Sequence, residues 1–129
     1  MNVKANDLGV CGIEQLFYAG KVAFDDTDVD DGIVLCKIPE NVIITRAVAI
    51  VKTAFNAGTT NVLVIGTEDD DDAIMAAADI TEGTAGTYSK QTFLEMGKGD
   101  DVYVKYTQTG TAATAGAAEV YLFAVGVPA

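Results

Sequence analysis

Short runs of β-branched and aromatic residues recur along this chain, each cut off by a cluster of Gly, Asn, Asp or Pro. That punctuation permits strands and forbids long helices. The strand candidates are Gln15 to Phe24, Gly32 to Ile38, Val42 to Phe55, Val62 to Gly66, Tyr88 to Met96, Val102 to Thr107 and Glu119 to Val127. Val102, Val104 and Tyr106 alternate with Tyr103 and Lys105, the period of a strand with one face buried. Gly20 breaks the first run, as at a bend or bulge, and Pro39-Glu40-Asn41 is a turn. One brief helix is expected where Glu68 to Asp72 precede Ala73-Ile74-Met75-Ala76-Ala77-Ala78, since carboxylates suit a helix start and alanine has the highest helix propensity. Seven or eight short strands and one short helix predict an all-β, jelly-roll-like antiparallel sandwich. Residues 1–14 read as an N-terminal arm and 15–129 as the sandwich domain.

The chain has 129 residues, enough for one domain, and half are apolar, enough for a core. Eight Lys and Arg stand against 19 Asp and Glu, a formal charge of -11. Such a surface repels nucleic acid and anionic membranes, so neither is an expected partner. No histidine is present, which removes His-based triads and His metal sites. Ser89 is the single serine, with no base to activate it. No glycine-rich phosphate loop appears, and the carboxylates cluster in runs rather than pairs suited to glycoside hydrolysis. The expectation is a non-enzymatic protein with no cofactor and no resident metal.

Two acidic runs are candidate cation sites. Asp26, Asp28 and Asp30 open like a calcium loop, but Asp31 stands where the loop requires glycine and Lys37 where it requires glutamate. Glu68 to Asp72 are five adjacent carboxylates that cannot all converge on one ion. Both read as solvated segments. Cys11 and Cys36 make no disulfide framework, and one bridge between them is geometrically open. Cys36, inside Ile33-Val34-Leu35-Cys36, reads as a buried thiol. No signal peptide and no membrane-length apolar stretch is visible, so synthesis in a cytoplasm is expected.

Several strand candidates are apolar on both faces, notably Val42 to Val51, Val62 to Ile65 and Val120 to Val125. A two-layer sandwich covers one face of each sheet, so the surplus points to burial against other subunits. Arg46 and Lys52, rare cations on the longest strand, and the aromatic residues Phe17, Tyr18 and Phe55 are the interface candidates.

The stretches Ile38-Pro39-Glu40-Asn41-Val42-Ile43-Ile44-Thr45, Thr53 to Thr67 and Asp101 to Ala118 resemble small structural proteins of tailed bacteriophages. The pattern is similar to the jelly-roll cement, or decoration, proteins of icosahedral heads, over most of Tyr18 to Val125. The resemblance implies a virion protein on the capsid exterior, a homodimer or homotrimer that binds the major capsid protein and stabilises its subunit contacts. A head- or tail-fibre module that binds a host glycan or protein is the alternative.

Overall fold

A computed structural model describes residues 14–95 and 99–126. Seven strands form in chain order: β1 (Gln15–Ala23), β2 (Ile33–Ile38), β3 (Val42–Thr53), β4 (Thr60–Gly66), β5 (Gly86–Glu95), β6 (Asp100–Thr109) and β7 (Ala117–Gly126). Odd-numbered strands make one sheet, ordered β1-β7-β3-β5, and even-numbered strands make the other, ordered β2-β6-β4. All pairings are antiparallel.

The pairs β1·β7, β2·β6 and β3·β5 are those of one long hairpin that has been rolled up. Rolling adds the contacts β3·β7 and β4·β6, which close each sheet. That is jelly-roll winding, as the strand spacing predicted. An eight-stranded jelly roll would set one more strand beside β4. Here that place holds a single antiparallel bridge, Ile65 to Met75, in the long β4–β5 connection.

The expected helix over Ala73 to Ala78 does not form. Only a 3-10 turn, Ala77–Asp79, is present. Six residues cannot nucleate an isolated helix in water, and the free edge of β4 offers a better partner. The N–H groups of Ile74 and Met75 both donate to the Ile65 carbonyl, and Ile65 N–H donates to that of Met75. Ile74 and Met75 are thereby drawn wholly into the core.

Between the sheets lie Ile44, Ala47, Ala49 and Val51 of β3, Val120, Leu122 and Ala124 of β7, Leu63 and Ile65 of β4, and Val102, Val104 and Tyr106 of β6. Ile74, Met75 and Ile80 of the β4–β5 connection complete it, and Val29 plugs it from the β1–β2 connection. The rings of Phe55 and Tyr106 meet at 4.7 Å, tilted by 46°. Gly116 must be glycine there: its φ is +151° and an added Cβ would lie 2.4 Å from the Phe55 ring. The turn before β3 places Asn41 at φ +63°, a conformation Asn tolerates.

Candidate interaction faces

The sandwich has two outer faces of opposite character. On the four-stranded sheet, alternation sends Arg46, Val48 and Ile50 of β3 outward, beside Phe123, Tyr121 and Glu119 of β7. On β1 the matching positions are Leu16, Ala19 and Lys21, and on the β5 edge Gln91, Ser89 and Thr87. Three rows therefore cross the sheet. The first runs Leu16, Phe123, Arg46, Gln91, the second Ala19, Tyr121, Val48, Ser89, and the third Lys21, Glu119, Ile50, Thr87. Leu16 is 52% exposed and Phe93, farther along β5, 69%. Val48, Ile50, Tyr121 and Phe123 are half-buried by their own neighbours alone.

Polar contacts on this face are lateral and weak. The Arg46 guanidinium stacks 4.2 Å over the Phe123 ring and reaches Glu14 at 3.6 Å. Arg46 Nε is buried without a hydrogen-bond partner. Thr45 Oγ1 donates to the same Glu14 carboxylate. Lys52 lies 3.8 Å from Glu119, which also accepts the Tyr121 hydroxyl at 2.9 Å. That bond holds the Tyr121 hydroxyl proton more firmly than usual, aided by burial and the Glu119 charge. At the third-row end of the sheet, Lys21 and Glu119 join Lys52 and the small side chains Ala117 and Ala118 to line a notch of about 380 Å³.

The outer face of the three-stranded sheet is acidic. Asp31, Glu68, Asp71, Tyr103 and Lys105 surround a depression of about 330 Å³, where the β1–β2 and β4–β5 connections converge. Lys105 Nζ lies 3.4 Å from Asp71. Burial raises the Tyr103 hydroxyl pKa, and the charges of Glu68, Asp101 and Asp100 add to the rise. The acidic β4–β5 loop folds back so closely that a Cβ on Gly66 would strike the Asp70 and Asp71 backbone.

Among the described residues, Asp70, Asp71 and Asp72 form the single grouping of three acids with ligand atoms within 4.8 Å of one another. All three are exposed. The Asp72 carboxyl is pushed upward, first by its hydrogen bond with Asp70 and then by the Asp70 charge. The earlier run is held by its own turn and by β6: Asp26 accepts the Ala23 N–H at 2.8 Å, and the Val29 carbonyl accepts the N–H of Tyr106.

Of the five interface candidates, Arg46 and Lys52 stand on the outer face of the four-stranded sheet. Phe17 and Tyr18 sit at a β1 bulge, partly buried against the core. Phe55 is interior, 2% exposed, so its ring belongs to the core of the protomer rather than to an outer face. The residues missed at the sequence level are Tyr121, Phe123 and Glu119. Their alternation was visible, but which alternate set faces out is fixed only by β7 lying between β1 and β3. Cys36 is half-buried against the core, and its thiol is pushed up to about 11 by burial and by the Asp101 charge. Cys11 and most of the expected arm, 1–13, lie outside the described residues.

No protein family and no characterised sequence matches the chain. Solved structures do. A chain of the cyanophage Pam1 capsid asymmetric unit superposes with a TM-score of 0.65 at 18% identity, over 89% of this chain and 85% of that one. A chain of the acidic stable capsid structure of Helicobacter pylori bacteriophage KHP30 gives 0.55 at 13% identity, over 93% and 97%. The likeness is one of fold. It confirms the all-β sandwich and extends across nearly the whole of each partner chain, so this protein and both neighbours are of similar length.

Proposed function

We propose that this protein is a structural component of a bacteriophage capsid, and that it acts as a cement or decoration protein on the outside of the head. The observation that carries the reading is the end-to-end match in fold to similarly sized chains from two phage capsid structures. Two features of the chain support it. Its four-stranded sheet presents aromatic and aliphatic side chains on the face away from the core, as a protein built to pack on neighbours would. Its carboxylates collect on the opposite face, where they suit exposure to solvent and repel the packaged genome.

In this role the protein binds the major capsid protein and stabilises contacts between its subunits. A ligand that binds the assembled lattice and not free subunits lowers the free energy of the lattice and so resists rupture. The reaction is association alone, with no catalytic group and no cofactor. The test is cosedimentation with empty shells assembled from a phage major capsid protein of the same virus, followed by heating of decorated and bare shells. Saturable binding with a raised rupture temperature supports the reading. Shells that neither bind the protein nor gain heat resistance from it overturn it.

A further inference from the structure

We infer that the β4–β5 connection is an edge guard: it seals the one sheet edge built to accept an added strand, and it opens as a unit while both sheets stay folded. Four strands lie at sheet edges, β1 and β5 in one sheet, β2 and β4 in the other. An edge strand offers unpaired N–H and C=O groups to any extended chain, and a bulge or a charge on the strand discourages that pairing. Three of the four edges carry both devices. The pairings of β1, β2 and β5 each contain a register shift, and these strands bear Lys21, Lys37 and Lys90. The fourth, β4, has neither. It pairs with β6 in unbroken register, and its sequence, Thr60-Asn61-Val62-Leu63-Val64-Ile65-Gly66, holds no charge and no proline. An uncharged run of β-branched and aliphatic residues is the composition that stacks edge to edge.

That unprotected edge is the one the connection covers. The Leu63 N–H donates to the Glu82 carboxylate at 2.8 Å, and the Ile65 N–H donates to the Met75 carbonyl at 3.0 Å. The Ile65 carbonyl accepts the N–H groups of Ile74 and Met75, each at 2.9 Å. Groups that would otherwise pair with a foreign strand are thus occupied from within the chain, and Ile74 and Met75 plug the core beneath them at 0% exposure. The seal is separable from the sheets. It meets β4 through one isolated bridge, whereas the strands hold one another by full ladders. Its remaining ties are the Lys90–Asp79 and Lys105–Asp71 ion pairs, at 2.7 and 3.4 Å, and the Phe55 N–H on the Glu82 carbonyl. Lifting the connection therefore costs less than unfolding the sandwich, since every strand pairing survives. What it lays bare is an apolar edge in perfect register, ready to template a strand.

The first test is hydrogen exchange of the wild type, followed amide by amide by NMR across a urea series below the unfolding transition. The amides of Leu63, Ile65, Ile74 and Met75 are expected to exchange through one shared opening. That opening is at least about tenfold more populated than the one that frees Val120 and Leu122 of β7, and less sensitive to urea. Exchange of the four amides only together with β7, or at four unrelated rates, overturns the inference. The second test compares two core variants: Ile74→Ser, which withdraws the plug, and Leu122→Ala, which weakens the sheets and leaves the connection in place. At a temperature where circular dichroism shows both folded, Ile74→Ser is expected to form thioflavin-positive aggregates several-fold faster than Leu122→Ala. Adding Val62→Lys, which sets a charge on β4, suppresses them. Equal aggregation of the two variants, or aggregation untouched by Val62→Lys, overturns the inference, as does an Ile74→Ser protein that stays soluble. The exchange experiment needs no variant and decides alone if Ile74→Ser does not fold.

Discussion

The backbone N–H of Leu63 donates a 2.8 Å hydrogen bond to the Glu82 side chain, a buried carboxylate 19 residues further along the chain. The Glu82 carbonyl in turn accepts the N–H of Phe55 at 2.9 Å. One residue thus ties the long β4–β5 connection both to β4 and to the segment that precedes it. Glu82→Ala leaves the Leu63 donor unpaired inside the protein, a loss of about 1–3 kcal/mol. Glu82→Gln retains an acceptor and recovers most of it. Urea unfolding of the two variants checks this, with the alanine midpoint well below the glutamine one.

Gly116→Ala drives a methyl into the Phe55 ring and is expected to cost about 1–3 kcal/mol by overpacking. Phe55→Ala removes the ring that stacks on Tyr106 and costs about 3–5 kcal/mol. Phe55→Leu combined with Gly116→Ala relieves the collision, so the double variant loses less than the sum of its parts. Calorimetric melts of the wild type, Gly116→Ala, Phe55→Ala, Phe55→Leu and the double variant separate collision from cavity.

Two carboxylates act in opposite directions as pH falls. The Lys90 ammonium, 2.7 Å away, and the Ala76 N–H hold Asp79 below the usual carboxylate range. Its stabilisation is therefore complete above the unfolded-state pKa and is lost as pH drops through the lower folded one. Asp72 is raised by its neighbour Asp70, so the folded state takes up that proton more readily than the unfolded chain. Its unfavourable contribution at neutral pH is relieved as pH falls through the folded value. Asp79→Asn should lower the melting temperature at neutral pH and Asp72→Asn should raise it slightly. Both differences should close in acid, which melts across a pH series will show.

The Cys36 thiol, with a pKa of about 11 against an ordinary 9.0, carries about 100-fold less thiolate at mildly alkaline pH than a free cysteine. In a Cys11→Ser background, its reaction with a disulfide reagent is expected to be about tenfold slower when folded, because the more basic thiolate is the stronger nucleophile and recovers part of the loss, and to reach the free-thiol rate in urea.

The seven strands were legible because their periodicity is local: along β6, Val102, Val104 and Tyr106 are buried while Tyr103 and Lys105 are not. The Ala73 to Ala78 segment carries a helical pattern but does not form a helix, because its fate is decided by the edge of β4, a neighbour no local pattern reveals. The division into a neutral face and an acidic one was equally hidden. Lys21 lies far from Arg46 and Lys52 in the chain and joins their face only through the pairing of β1 and β3 with β7. Phe55 shows the limit of reading a single aromatic: burial against Tyr106 and burial against a partner leave the same mark on a sequence.

The strand at the middle of the larger sheet, β7, is also the last of the seven to be synthesised. During translation β1 and β3 must wait, side by side in neither space nor register, for a strand that emerges after the other six. Until then the nascent protein holds two greasy ribbons with open edges, and its folding is set by closure of the longest loop in the chain. Such a polypeptide is most exposed to misassembly in the moments before β7 leaves the ribosome.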